Sequence, residues 1–136
     1  MIDGVSNADA IPVLERMIQF AGRRHALITN NIANLSTPGF RPMDLDVHAF
    51  QSALADAVDR RREAHGNAGG ELDPGPRPSA PTAEALGENI LFHDANDRDL
   101  ERIMQDLVEN ASTFRLAADL LRTRFELINT AIRERL

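Results

Sequence analysis

The sequence predicts an all-α fold: long N- and C-terminal helices that pair as a coiled coil, joined by an irregular, partly disordered central connector. Three observations carry this. Apolar residues alternate steps of three and four near both ends of the 136-residue chain, the period of a helix that packs along another helix. Residues 97–136 contain neither glycine nor proline. The middle concentrates both, with five of the eight glycines and four of the seven prolines between residues 66 and 87.

The first region, residues 1–40, holds a helix and the turn that ends it. Leu14, Ile18, Ala21, His25, Ile28, Ile32 and Leu35 form its seam. Ser6 and Asp9 stand at capping-box spacing, and Pro12 fits a first turn, where a missing N–H is harmless. Pro38 and Gly39 stop the helix.

Residues 41–96 form the connector. Phe50, Leu54, Ala57 and Val58 share one helical face, which predicts a short helix early in it. The Gly/Pro-rich stretch beyond that helix has too little apolar surface to offset its ordering entropy.

The third region, residues 97–136, reads as one long helix of about 60 Å at 1.5 Å per residue. Leu100, Ile103, Leu107, Ala111, Phe114, Ala118, Leu121, Phe125, Ile128 and Ile132 form its seam, with a small stutter at 103–107–111. Acidic Asp97, Asp99 and Glu101 open it and Arg133 and Arg135 close it, as the helix dipole favours. The two helices differ in length, so pairing leaves apolar surface for neighbouring subunits. Leu14, Ile18, Ile28, Ile32, Leu107, Phe114, Leu121, Phe125, Ile128 and Ile132 are the candidate assembly residues.

Composition narrows the function classes. The net charge of −6 argues against a nucleic-acid binder, which needs a basic footprint. All fifteen basic residues are arginine, which reads as codon bias. The absence of cysteine excludes disulfides and thiolate chemistry. The start has no basic, apolar signal pattern, and no run approaches a membrane span. His25, His48, His65 and His93 are scattered without metal-ligand spacing, and neither a phosphate loop nor a dinucleotide fingerprint occurs. No catalytic, metal or cofactor site is expected.

The most informative segment is Asn30-Asn31-Ile32-Ala33-Asn34-Leu35-Ser36-Thr37-Pro38-Gly39-Phe40. It is a helix end followed by a forced turn, with Pro38 and Gly39 at the central positions and Phe40 as an anchor. Asn30 and Asn34, one helical turn apart, are placed to bond across a helix interface. Asn30, Asn31, Asn34, Thr37, Pro38, Gly39 and Phe40 together resemble the N-terminal signature of the flagellar rod and hook family. Asp44-Leu45-Asp46-Val47 is similar to the segment just C-terminal to that signature in a proximal-rod member. Asp94, Asn96, Asp99, Leu100, Arg102 and Met104 resemble the start of that member's last helix, although Ala95, Asp97 and Arg98 depart from it. The tail from Glu109 through Phe114, Leu121, Phe125 and Ile132 is similar too.

The resemblance implies a structural subunit of the basal-body rod in the periplasm, helically stacked around the export channel. It implies export by the flagellar type III apparatus without signal cleavage. The implied partners are copies of itself, other rod proteins, the inner-membrane ring, the rod-adaptor protein and the export apparatus. Another proximal-rod protein of the same family, or a soluble coiled-coil export adaptor, is the alternative.

Overall fold

The computed structural model describes residues 10–63 and 100–134. The Ser6/Asp9 cap, the Gly/Pro-rich stretch, the acidic lead-in before Leu100, His65, His93 and Arg135 lie outside the described residues. Three helices occur in order: α1 Ala10–Asn34, α2 Val47–Glu63 and α3 Leu100–Arg133, with no strand among the described residues. The long terminal helices α1 and α3 pack together, as the fold class required.

α1 has 25 residues, about 38 Å at the standard rise. Pro12 sits in its first turn. It ends where the Thr37 N–H donates to the Asn34 carbonyl (2.9 Å) and the Phe40 N–H to the Thr37 carbonyl (3.2 Å). Gly39 adopts φ 74° at the third position of that turn, a conformation in which a side chain is strained.

The chain then doubles back along α1. Asp46 caps α2: its Oδ1 accepts from the Ala49 N–H at 2.9 Å. Helix α2 has 17 residues and lays the face bearing Phe50, Leu54, Ala57 and Val58 against Val13 and Met17 of α1. The Phe50 ring stacks on Phe20 with centroids 3.9 Å apart and planes 8° from parallel.

α3 has 34 residues, about 51 Å. Exposed hydroxyls at Ser112, Thr113, Thr123 and Thr130 each donate to the carbonyl four residues back, so they satisfy themselves within the helix.

Two long-range bonds fix how α3 lies on α1. The Asn110 side chain donates to the Ala21 carbonyl (2.9 Å), and Arg24 donates to Asp106 (3.0 Å). Sequence number rises on one helix as it falls on the other, so the pair is antiparallel. Stepping seven residues either way from Ala21 and Asn110 sets Leu14 opposite Ala117 and Ile28 opposite Ile103. All six of these residues are buried.

Candidate functional site

The seam that the structure builds differs from the periodic reading at particular positions. Leu14, Ala21 and Ile28 are buried, but the next inward residues after Ala21 and Ile28 are Arg24 and Asn31, and His25 is exposed. On α3, Asn110 and Ala117 face inward where Ala111 and Ala118 are only half-buried. The stutter at 103–107–111 therefore disappears: Ile103, Asn110 and Ala117 keep a strict step of seven. Ranking by hydrophobicity picks the apolar residue next to the polar one that turns inward.

Those inward polar residues form a clamp. The Arg24 guanidinium donates from Nε to both Asp44 oxygens (3.0 and 2.9 Å) and from Nη2 to Asp44 Oδ2 at 2.6 Å. The same Nη2 reaches Asp106 Oδ1 at 3.0 Å. One cation from α1 thus holds the returning loop and α3 together. The side chains of Arg24 and Asp44 are 9% and 6% exposed, while Asp106 keeps 20%.

The charges respond to this geometry. Burial works against the charge on Arg24, but hydrogen bonding and attraction from Asp44, then Asp106, outweigh it and raise its pKa. Asp106 stands differently. Burial raises its pKa, Arg24 pulls it down, and the Asp44 charge pushes it up again, leaving a net rise. Asp44 has already engaged the guanidinium bidentately, so the second carboxylate recovers less than its desolvation costs.

A second polar fastening lies one heptad along α1. The buried Asn31 amide donates to the Met43 carbonyl (2.8 Å) and accepts from the Met43 N–H (3.1 Å). This satisfies both backbone groups of Met43. Asn34, by contrast, bonds within α1, to the side chain and carbonyl of Asn30 (2.5 and 2.9 Å), not across an interface. Thr37, Pro38 and Gly39 are exposed, and Phe40 is half-buried.

The remaining seam candidates divide along α3. Ile18, Ile32, Leu107 and Leu121 are half-buried. Phe114, Phe125, Ile128 and Ile132 are 41%, 47%, 44% and 57% exposed. With Asn110 opposite Ala21, Leu121 lies opposite Ala10, the first residue of α1. Residues 122–133 run past it by roughly 18 Å at the helical rise. Phe125, Ile128 and Ile132 are on that overhang: Ile128 continues the Leu107–Phe114–Leu121 step of seven, and Phe125 and Ile132 continue the half-buried Ala111 and Ala118 beside the inner face. Leu116, Leu120 and Leu127 form a second exposed stripe on a flank of the same helix. Apolar surface of this continuity is characteristic of protein contact sites.

Among the described residues no three His, Cys, Asp or Glu side chains gather as a metal site. No described helix is long and apolar enough to cross a membrane.

Residues 17–41 match the sequence profile of a family described as flagella basal body rod protein. The match covers most of α1, the Thr37–Phe40 turn and Arg41. It supports a structural, rod-building role at the flagellar basal body and assembly with other rod proteins. No curated protein and no solved structure matches the chain.

Proposed function

We propose that this chain is a structural subunit of the proximal rod of the bacterial flagellum, and that FlgB is the rod protein it corresponds to. The rod-family signature at residues 17–41 carries the reading. The apolar overhang of α3 supports it, because a subunit that builds a filament must present surface its own fold does not use. Leu14, Ile18, Ile28, Ile32, Leu107 and Leu121 serve the α1–α3 pairing. Phe114, Phe125, Ile128 and Ile132 serve contacts between subunits. The motif residues Asn30, Asn31, Asn34, Thr37, Pro38, Gly39 and Phe40 shape the end of α1 and the turn that sends the chain back along it.

In this reading the subunit crosses the periplasm as part of the rod, reaches it through the flagellar export apparatus without losing a signal segment, and meets the inner-membrane ring and the rod adaptor. It performs no catalysis and needs no cofactor. Quantitative mass spectrometry of purified hook–basal bodies tests this. The chain should be present at a few copies per motor with its N-terminus intact. Abundance in the cytosol and absence from basal bodies would overturn the reading in favour of a soluble export adaptor.

A further inference from the structure

The α1–α3 contact contains an unused alternative. Sliding α3 by seven residues would set Leu14 opposite Arg124, Ala21 opposite Ala117 and Ile28 opposite Asn110. Leu121 would move opposite Met17, and Phe125 and Ile128, now 47% and 44% exposed, would come to lie against the first turns of α1. The slip would set Phe125 at the place now held by half-buried Ala118 and Ile128 at that of Leu121, and would bring Arg124 opposite Leu14 near the end of the contact. The structure leaves Phe125 and Ile128 about half exposed instead.

What the slip would lose is polar. Arg24 would face Thr113 in place of Asp106, and the Ala21 carbonyl would face an alanine in place of the Asn110 amide. Asp106 and Asn110 would be carried onto the stretch of α1 around Ile28 and Asn31, where Asn31 is already committed to Met43. The opposite slip sets Asp106 near Met17 and Asn110 near Leu14, among apolar groups. A buried polar group without a partner is penalised more heavily than an apolar contact is rewarded.

We propose that Asp106 and Asn110 are the register-determining residues of α3: their bonds to Arg24 and to the Ala21 carbonyl select one antiparallel alignment over the seven-residue slips. This role goes beyond rod assembly and holds whether or not the chain is a rod subunit. The raised pKa of Asp106 fits it, since a residue retained for specificity need not stabilise.

The chain contains no cysteine, so engineered pairs report register cleanly. Ile28→Cys with Ile103→Cys reads the observed alignment. Leu14→Cys with Arg124→Cys reads the slip that covers the overhang, and Ala21→Cys with Ile103→Cys reads the opposite slip. Each pair is placed in the full chain and equilibrated in a glutathione redox buffer. In the parent the first pair should close in preference to the others by roughly tenfold or more. Asp106→Leu with Asn110→Leu keeps the helix and adds apolar surface. It should erase that preference and let the Leu14–Arg124 pair close.

A second variant moves the key without changing composition: Asp106→Thr, Asn110→Ala, Thr113→Asp and Ala117→Asn together. It should transfer the preference to the Leu14–Arg124 pair. Continued preference for the Ile28–Ile103 pair in both variants would overturn the proposal, as would a parent with no preference among the three pairs.

Discussion

Replacing Arg24 by methionine probes the clamp directly. Methionine keeps much of the unbranched stem and its packing but removes the cation. Asp44, with a side chain 6% exposed, then keeps only the Leu45 N–H (2.8 Å) among the hydrogen bonds described for its carboxylate. Asp106 loses its bond across the interface, and the two carboxylates are left to repel each other. Stranding a buried charge in this way costs about 3–5 kcal/mol. A domain of this size holds about 5–15 kcal/mol in all, so the variant should lose about a fifth of its stability or more. The chain has no tryptophan or tyrosine, so urea unfolding is followed by helical circular dichroism near 222 nm. Adding Asp44→Leu and Asp106→Leu to Arg24→Met should recover much of the loss, because no charge is then left without its partner. A loss under about 1 kcal/mol for Arg24→Met alone, the range of solvent-screened surface pairs, would refute the buried-clamp reasoning.

Four further substitutions separate the parts of the molecule. Ile28 is 2% exposed and Phe125 47%, so the same aspartate substitution should act at different levels. Ile28→Asp should destabilise the fold by more than about 4 kcal/mol. Phe125→Asp should leave unfolding within about 0.5 kcal/mol of the parent while abolishing assembly in a motility assay; swimming at the normal rate would refute the overhang's role. Gly39→Ala should destabilise by about 1–2 kcal/mol through its positive φ alone, since an added Cβ meets nothing within 4 Å; an unchanged urea midpoint would show that the turn relaxes freely. Asp106 binds its proton more tightly folded than unfolded, so its contribution is greatest in acid and fades as pH rises above the ordinary carboxylate range. Asp106→Asn should therefore gain on the parent between pH 4 and pH 7 on a urea-midpoint titration; a relative loss over that interval would refute the sign.

Much of the architecture could be read from residue spacing. The alternating threes and fours placed both long helices, and the shared face of Phe50, Leu54, Ala57 and Val58 marked α2. The inner face of each helix was harder to phase. At positions 24 and 31 of α1 and position 110 of α3, a polar residue turns inward while its apolar or aromatic neighbour, His25, Ile32 or Ala111, turns partly or wholly outward. A hydrophobicity pattern cannot detect this. The groups that make burial of Arg24 tolerable come from Asp44, twenty residues on, and Asp106, eighty-two residues on. Only the fold brings them together. A usable signal was present in the repeat of Arg24 and Asn31 at a heptad interval, where a surface reading would expect no regularity.

The central position of α1 has a consequence for local opening. Its Phe20 side is closed by Phe50 of α2, and its Ala21 and Ile28 side is closed by α3. Either flanking helix can lift away while the other stays seated, but α1 amides exchange with solvent only when both contacts are lost. Deuterium uptake should therefore be slowest along the middle of α1 and fastest in α3 beyond Leu121. A gradient of protection should then run along α3 itself, from the turns beside Ile103 and Asn110 to the bare turns around Ile132.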